Sequence, residues 1–319
     1  MKLLAKYSLL ITLCLGACIS DTSKTISIKD VLGKGLTAVD YSFGDEHIRA
    51  VQDQVLRGEY EEMRENCTTK TSDWLTQMVD ALALNIPEEY LQNWLAKAKE
   101  KELPTLVLGA YYSHKAWVVR GYSYANDIGE EEILSFDDYQ DKAIELLTTI
   151  QENKTLLVDA AARLIRIYMG KSNMELVEHY FLQCQELDRN HLWSYIHYSE
   201  AVQPKWLGSL EALEKFMIEL PNRQLIQQII ALKMMNDSFL ANQNYVDKES
   251  SDLKQIASRL LQKINQEVDE STPSTVQKYV LYNYIAFLSD EIGNQQLLEK
   301  YGKRMKNNYT LYPAGIVQE

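Results

Sequence analysis

Glycine and proline are scarce in this chain, 13 and 6 among 319 residues. With leucine, alanine, glutamate, lysine and glutamine abundant instead, the composition leans towards helix. No stretch alternates apolar and polar residues well enough to require a strand. No run of five or six like charges occurs, and 45 acidic residues outnumber 33 basic ones for a net charge of −12. Such a body gains nothing from nonspecific contact with nucleic acid or an anionic membrane surface, and no nucleic-acid partner is expected. Catalytic signatures are missing too. The histidines His47, His114, His179, His191 and His197 form no H-E-x-x-H arrangement, and His191 and His197 are spaced off a single helix face. No cysteine pair has zinc spacing, and there is no G-x-S-x-G, no phosphate-cradling glycine loop and no G-x-G-x-x-G. The acidic groups Glu130 to Glu132 and Asp137-Asp138 read as helix starts, where carboxylates favour the dipole. No cofactor, no metal and no enzymatic activity are expected.

Among what is present, the N-terminus is the most specific. The apolar run from Tyr7 to Ala17 falls short of the roughly 20 residues that cross a bilayer. Lys2 and Lys6 precede it, and Gly16 and Ala17 close it, in the pattern of a secretory signal. Leu15-Gly16-Ala17-Cys18 resembles the lipobox of bacterial lipoproteins. That resemblance implies cleavage before Cys18 and lipid on its sulfur and amino group, with the membrane as a partner through that lipid. Two or more acyl chains hold stably, at about 0.8 kcal/mol per buried methylene. Ile19, where an aspartate would retain a lipoprotein in the inner membrane, points to the outer membrane of a Gram-negative host, facing the periplasm. Residues 1–17 are then signal peptide, 18–24 a short tether and 25–319 the folded body. Of the cysteines that follow, Cys67 and Cys184 each fit an apolar helical stripe, and whether they bridge stays open.

From Asp45 onward apolar residues recur at helical spacing. Leu253, Ile256, Ala257, Leu260, Leu261, Ile264 and Val268 form one stripe, and Leu210, Leu213, Met217 and Leu220 another. Starts are expected at Ser172-Asn-Met-Glu175, Ser135-Phe-Asp-Asp138, Pro87 and Pro273, and stops at 170–171, 220–221 and 292–294. The spacing predicts about a dozen helices joined by short turns, hence antiparallel neighbours. QENKTLL at 151–157 lies 34 residues before QELDRNHL, and a weaker copy follows at 219–225. A helix-turn-helix unit of that length matches a tetratricopeptide repeat. The expected fold is all-α, a tetratricopeptide-like solenoid of antiparallel helix pairs.

Two blocks stand out: YYSHKAWVVRGYSYAN at 111–126 and YIHYSEAVQPKWLGSLEALEKF at 195–216. Together they resemble a bacterial family known as the domain of unknown function 4034, over about 48–225, with 226–319 a helical extension. The resemblance implies a tetratricopeptide-like fold and no particular activity. Its signature residues are Trp117, Arg120, Gly121 and Tyr124, and Pro204, Lys205, Trp206 and Gly208. The first four fall at i, i+3, i+4 and i+7. Read as function, they make a ligand groove with Arg120 as an anion anchor. Read as packing, Gly121 permits a close helix crossing, Trp117 and Tyr124 fill it, and Arg120 pairs with an acid or a helix end. Packing is the expected role, with Trp206 pinning a turn that Ser209 caps. The function expected is a lipid-anchored module that binds a protein or peptide on a helical array. The rivals are an envelope enzyme with dispersed acid and base residues, for example on peptidoglycan, and a purely structural envelope protein.

Overall fold

The computed structural model describes residues 45–60, 71–121, 128–220, 224–242, 249–268 and 275–305. Among these residues there are thirteen helices and no strand, so the protein is an all-α helical-repeat fold. The helices are α1 (Glu46–Arg57), α2 (Ser72–Asn85), α3 (Glu88–Lys97), α4 (Glu102–Arg120), α5 (Glu130–Leu147), α6 (Lys154–Gly170), α7 (Met174–Leu187), α8 (Leu192–Ala201), α9 (Leu210–Glu219), α10 (Gln224–Asn242), α11 (Glu249–Glu267), α12 (Val276–Glu291) and α13 (Gln295–Met305). They form two compact units, one within Tyr41–Val202 and one within Gln203–Glu319. None of the described helices is long and apolar enough to cross a membrane.

Side-chain polarity sets the position of each helix in the first unit. The α5 helix keeps Phe136, Gln140, Ala143 and Leu147 inside, a single stripe at helical spacing. Every residue of α2 from Asp73 to Ala83 is buried, the apolar Trp74, Leu75, Met78, Val79 and Leu82 together with the polar Asp73, Thr76, Gln77 and Asp80. Such a helix needs cover on every side, and α2 packs on α1, α4, α6 and α8. Neighbours run antiparallel. Along α4 and α5, Tyr112 meets Tyr139 with ring centres 6.2 Å apart and Trp117 meets Phe136 at 5.3 Å. Along α6 and α7, Tyr168 stacks on Tyr180, while the Cys184 thiol donates to the Val158 carbonyl at 3.6 Å. Gly109 is where α4 and α5 come closest. A Cβ there would lie 2.8 Å from Leu147.

The second unit pairs α12 with α13 and sets α10 against α12. The two predicted stripes face inward in their centres: Leu253, Ala257, Leu261 and Ile264 on α11 are buried, as are Leu213, Met217 and Leu220 at α9, whereas Ile256, Leu260, Val268 and Leu210 are only partly buried.

Several local expectations need correction. The cap of α7 is Asn173, whose side chain accepts the Leu176 N–H; Ser172 precedes it at φ 57°. Ser135 lies inside α5, which starts after Gly129, so Asp137 and Asp138 are mid-helix and pair with Lys171 and Lys142 instead of a helix start. Pro87 occupies the cap of α3, one residue before its first turn. The 34-residue shift is off by about one turn, since the caps of α6 and α8 are Asn153 and His191. Pro273 lies outside the described residues.

Candidate functional site

Four helices bring polar side chains to the centre of the first unit. On α2, Asp73, Thr76, Gln77 and Asp80 lie at i, i+3, i+4 and i+7, one stripe within a helix buried on every side. On α6, Asp159 and Arg163 are one turn apart in the alanine-rich segment VDAAARLI. His114 comes from α4, and His191 and His197 come from the cap and body of α8. All are buried, Asp159 and His191 completely.

Arg163 is the hub. Its Nη1 donates to Asp80 Oδ1 at 2.7 Å and its Nε to Asp159 Oδ2 at 2.8 Å. Longer bonds from Nη2 reach Asp159 Oδ1 and the Thr76 carbonyl, both at 3.4 Å. Thr76 donates its single hydroxyl proton to Asp159, which as a carboxylate can only accept. His191 Nε2, 2.9 Å from the same hydroxyl oxygen, must therefore carry its own proton and donate. His114 Nε2 donates to Asp80 Oδ1 at 2.9 Å. Around this core, Ser72 donates to Asp188, and Asp73 accepts the Leu192 N–H at 2.8 Å, tying the start of α8 to the start of α2.

The electrostatics follow from that geometry. Burial pushes the Asp80 carboxyl up, but the Arg163 guanidinium and the His114 hydrogen bond outweigh it and hold the group well below the usual carboxylate range. For Arg163 burial is likewise overcome, by Asp159 and Asp80, and its pKa is raised. Burial lowers His114 despite Asp80, and it lowers His197 well below its ordinary value, helped by Arg166 and Arg163. Nδ1 of His114, His191 and His197 finds no partner among the described residues. An ionised Asp80 beside His114 and His197, whose pKa values burial lowers, is not poised to exchange protons near neutrality. The network clamps α2, α4, α6 and α8 in one register, the role best attested for buried ionic groups.

Trp117 and Arg120 lie where the last turn of α4 reaches partial exposure. The Arg166 guanidinium of α6 sits 4.7 Å from the centre of the Trp117 ring, and that of Arg120 at 5.5 Å. Burial lowers the Arg120 pKa. Gly121 does not permit a close crossing. It ends α4 with φ 67° and ψ −165°, a region only glycine occupies readily, and a Cβ there would meet nothing within 4 Å. The predicted face thus stops at Arg120, and the close approach belongs to Gly109.

Pro204, Lys205, Trp206 and Gly208 form the turn before α9, in the second unit, so the 195–216 block crosses the boundary after Val202. The Trp206 and Gly208 N–H groups both donate to the Gln203 carbonyl, and Ser209 accepts the Ala212 N–H as cap. Lys205 is exposed. Burial raises the Asp237 carboxyl, but Lys233 and then Lys205 outweigh it and leave it lowered. Cys18, Cys67 and Tyr124 lie outside the described residues. Cys184 is a free, buried thiol whose pKa burial pushes up.

The sequence reading missed Thr76, Asp80, Asp159, Arg163, Arg166 and the convergence of His114, His191 and His197. The available signal was local: a charged i, i+4 pair inside an alanine-rich helix, and a polar stripe on a helix with no other polar face. Comparison with family models, curated proteins and solved structures finds no match for the chain.

Proposed function

We propose that this chain is a lipid-anchored envelope protein whose helical body binds a protein or peptide on the α4 and α6 surface around Trp117. The observation that carries the reading is the half-exposed Trp117 indole, faced by Arg166 and Arg120 and held on a scaffold clamped from beneath by Arg163. Large aromatic and arginine side chains at a partly exposed, rigidly supported position are the commonest anchors of protein recognition. The lipobox at Leu15–Cys18, and Ile19 after it, support an outer-membrane anchor facing the periplasm. The likeness to the domain of unknown function 4034 supports a helical-repeat module and supplies no reaction.

Two experiments test this. Cys18→Ser should move the protein out of the membrane fraction and abolish palmitate labelling; persistent labelling would end the lipoprotein reading. A photocrosslinker at Lys115 or Val119, flanking Trp117, should yield a discrete product in the native envelope. That product should vanish when Trp117→Ala is added. A product indifferent to Trp117, or none at all, would place binding elsewhere.

A further inference from the structure

Arg163 and Arg166 sit one turn apart on α6 and are treated differently by the fold. Arg163 is met by two carboxylates, whereas no carboxylate of the described residues pairs with Arg166, in a protein of net charge −12. Its guanidinium lies over the Trp117 ring, and its Nε–H is buried without a hydrogen-bond partner among the described residues. An unmet donor on a charged group is costly to leave so. Two further unsatisfied polar groups flank it. His197, 8 % exposed, has no partner for Nδ1 and feels Arg166 as its strongest neighbouring charge. Gln140 on α5 is fully buried with neither amide atom bonded, against Gly170, one turn beyond Arg166 on the same helix.

We infer that Arg166, stacked on Trp117, is the docking point for a carboxylate of the bound peptide. This rests on the binding reading above and names the chemistry that such a site takes. With Nε buried, a carboxylate fits the fork of the two Nη groups in a bidentate pair, and phosphate offers the same charge without the planar shape. Trp117 supplies an aromatic surface for the apolar part of the ligand beside that group. Arg120, on the same ring, adds a second cation that favours the approach of an anion.

The test uses the full chain and an acetylated, amidated tripeptide with a central glutamate, the same peptide with glutamine, and inorganic phosphate. The Trp117 indole N–H is followed by NMR, assigned through Trp117→Phe. Saturable movement is expected with the glutamate peptide, with a dissociation constant on the order of millimolar. Arg166→Gln and Arg166→Lys should each weaken it about tenfold or more, since lysine keeps the charge and loses the fork. His197 should titrate at higher pH when the peptide is bound, because the carboxylate offsets the Arg166 charge. Equal binding of the glutamine peptide, wild-type binding by Arg166→Lys, or phosphate competing as strongly as the glutamate peptide would each overturn the assignment. In the first case the peptide-binding reading stands while the carboxylate falls. A crosslinked envelope product that survives Arg166→Gln separates the two in the same way.

Discussion

Arg163→Met removes the guanidinium shared by two buried carboxylates while keeping a side chain of similar length. Four hydrogen bonds disappear, those to Asp80 at 2.7 Å, to Asp159 at 2.8 and 3.4 Å, and to the Thr76 carbonyl at 3.4 Å. Breaking a buried ion pair from one side costs about 3–5 kcal/mol. There is also a ceiling on what each stranded carboxylate can cost, because it escapes by taking up a proton. For an aspartate of ordinary pKa 3.8, protonation at pH 7 costs about 4.4 kcal/mol, at 1.36 kcal/mol per pH unit. At pH 5 the same step costs only about 1.6 kcal/mol. Protonation of His114, freed from Arg163, would compensate Asp80 in the same direction. The variant should thus lose about 3–5 kcal/mol relative to wild type at pH 7, and roughly half that at pH 5. Urea unfolding followed by tryptophan fluorescence suits the measurement. Trp74, Trp94, Trp117 and Trp193 all report on the unit that holds the network, and only Trp206 lies in the other. A loss under about 1 kcal/mol at pH 7, or a loss that grows as the pH falls, would refute the view of Arg163 as the hub of an ionised cluster.

Other consequences separate causes that look alike in the sequence. Gly109→Ala should cost about 1–3 kcal/mol by driving a methyl group into Leu147. Gly121→Ala should cost a similar amount through backbone strain alone, so in melting experiments combined with Leu147→Ala, itself costly because Leu147 is buried, the Gly109 pair should cost less than the sum of its single variants and the Gly121 pair should be additive. His114 and His197 are held below 6.5, so the unfolded chain binds protons that the fold refuses. Stability is therefore full above that pH and falls as the pH drops, by up to about 1.4 kcal/mol per unit for each histidine. His197→Phe should flatten the curve, and a wild-type curve already flat from about pH 7 to pH 5.5 would contradict the assignment. Asp80, lowered instead, adds a separate loss as the pH falls below the ordinary carboxylate range. Glu102 accepts the Gln151, Glu152 and Asn153 N–H groups at 2.8–3.0 Å. Glu102→Ala should speed amide exchange at these three residues while leaving α2 protected.

The fold class was legible because helix formation and burial of one face are local properties. The stripes at 253–264 and 213–220 bury as their spacing requires, and the stops at Gly170, Leu220 and Ile292 fall where the chain turns. Caps were legible only where one residue suffices: Ser209 serves as expected, whereas Ser172, at φ 57°, lacks the backbone conformation of a cap and Asn173 accepts the Leu176 N–H instead. Gly121 shows the limit of a face drawn from spacing. Its i+4 relation to Trp117 implies a shared surface only while the helix continues, and a glycine at that place ends it. What the sequence could not contain is the meeting of Thr76 with Asp159 and His191, or of Asp80 with His114 and Arg163. Those partners are separated by 34 to 115 residues. Whether a charged side chain faces solvent, an opposite charge or neither depends on which other helix lies across from it. Arg163 and Arg166 are chemically identical and three residues apart. Only the packing of α2 against one side of α6, and of Trp117 beside the next turn, makes the first a clamp and leaves the second with no carboxylate partner among the described residues.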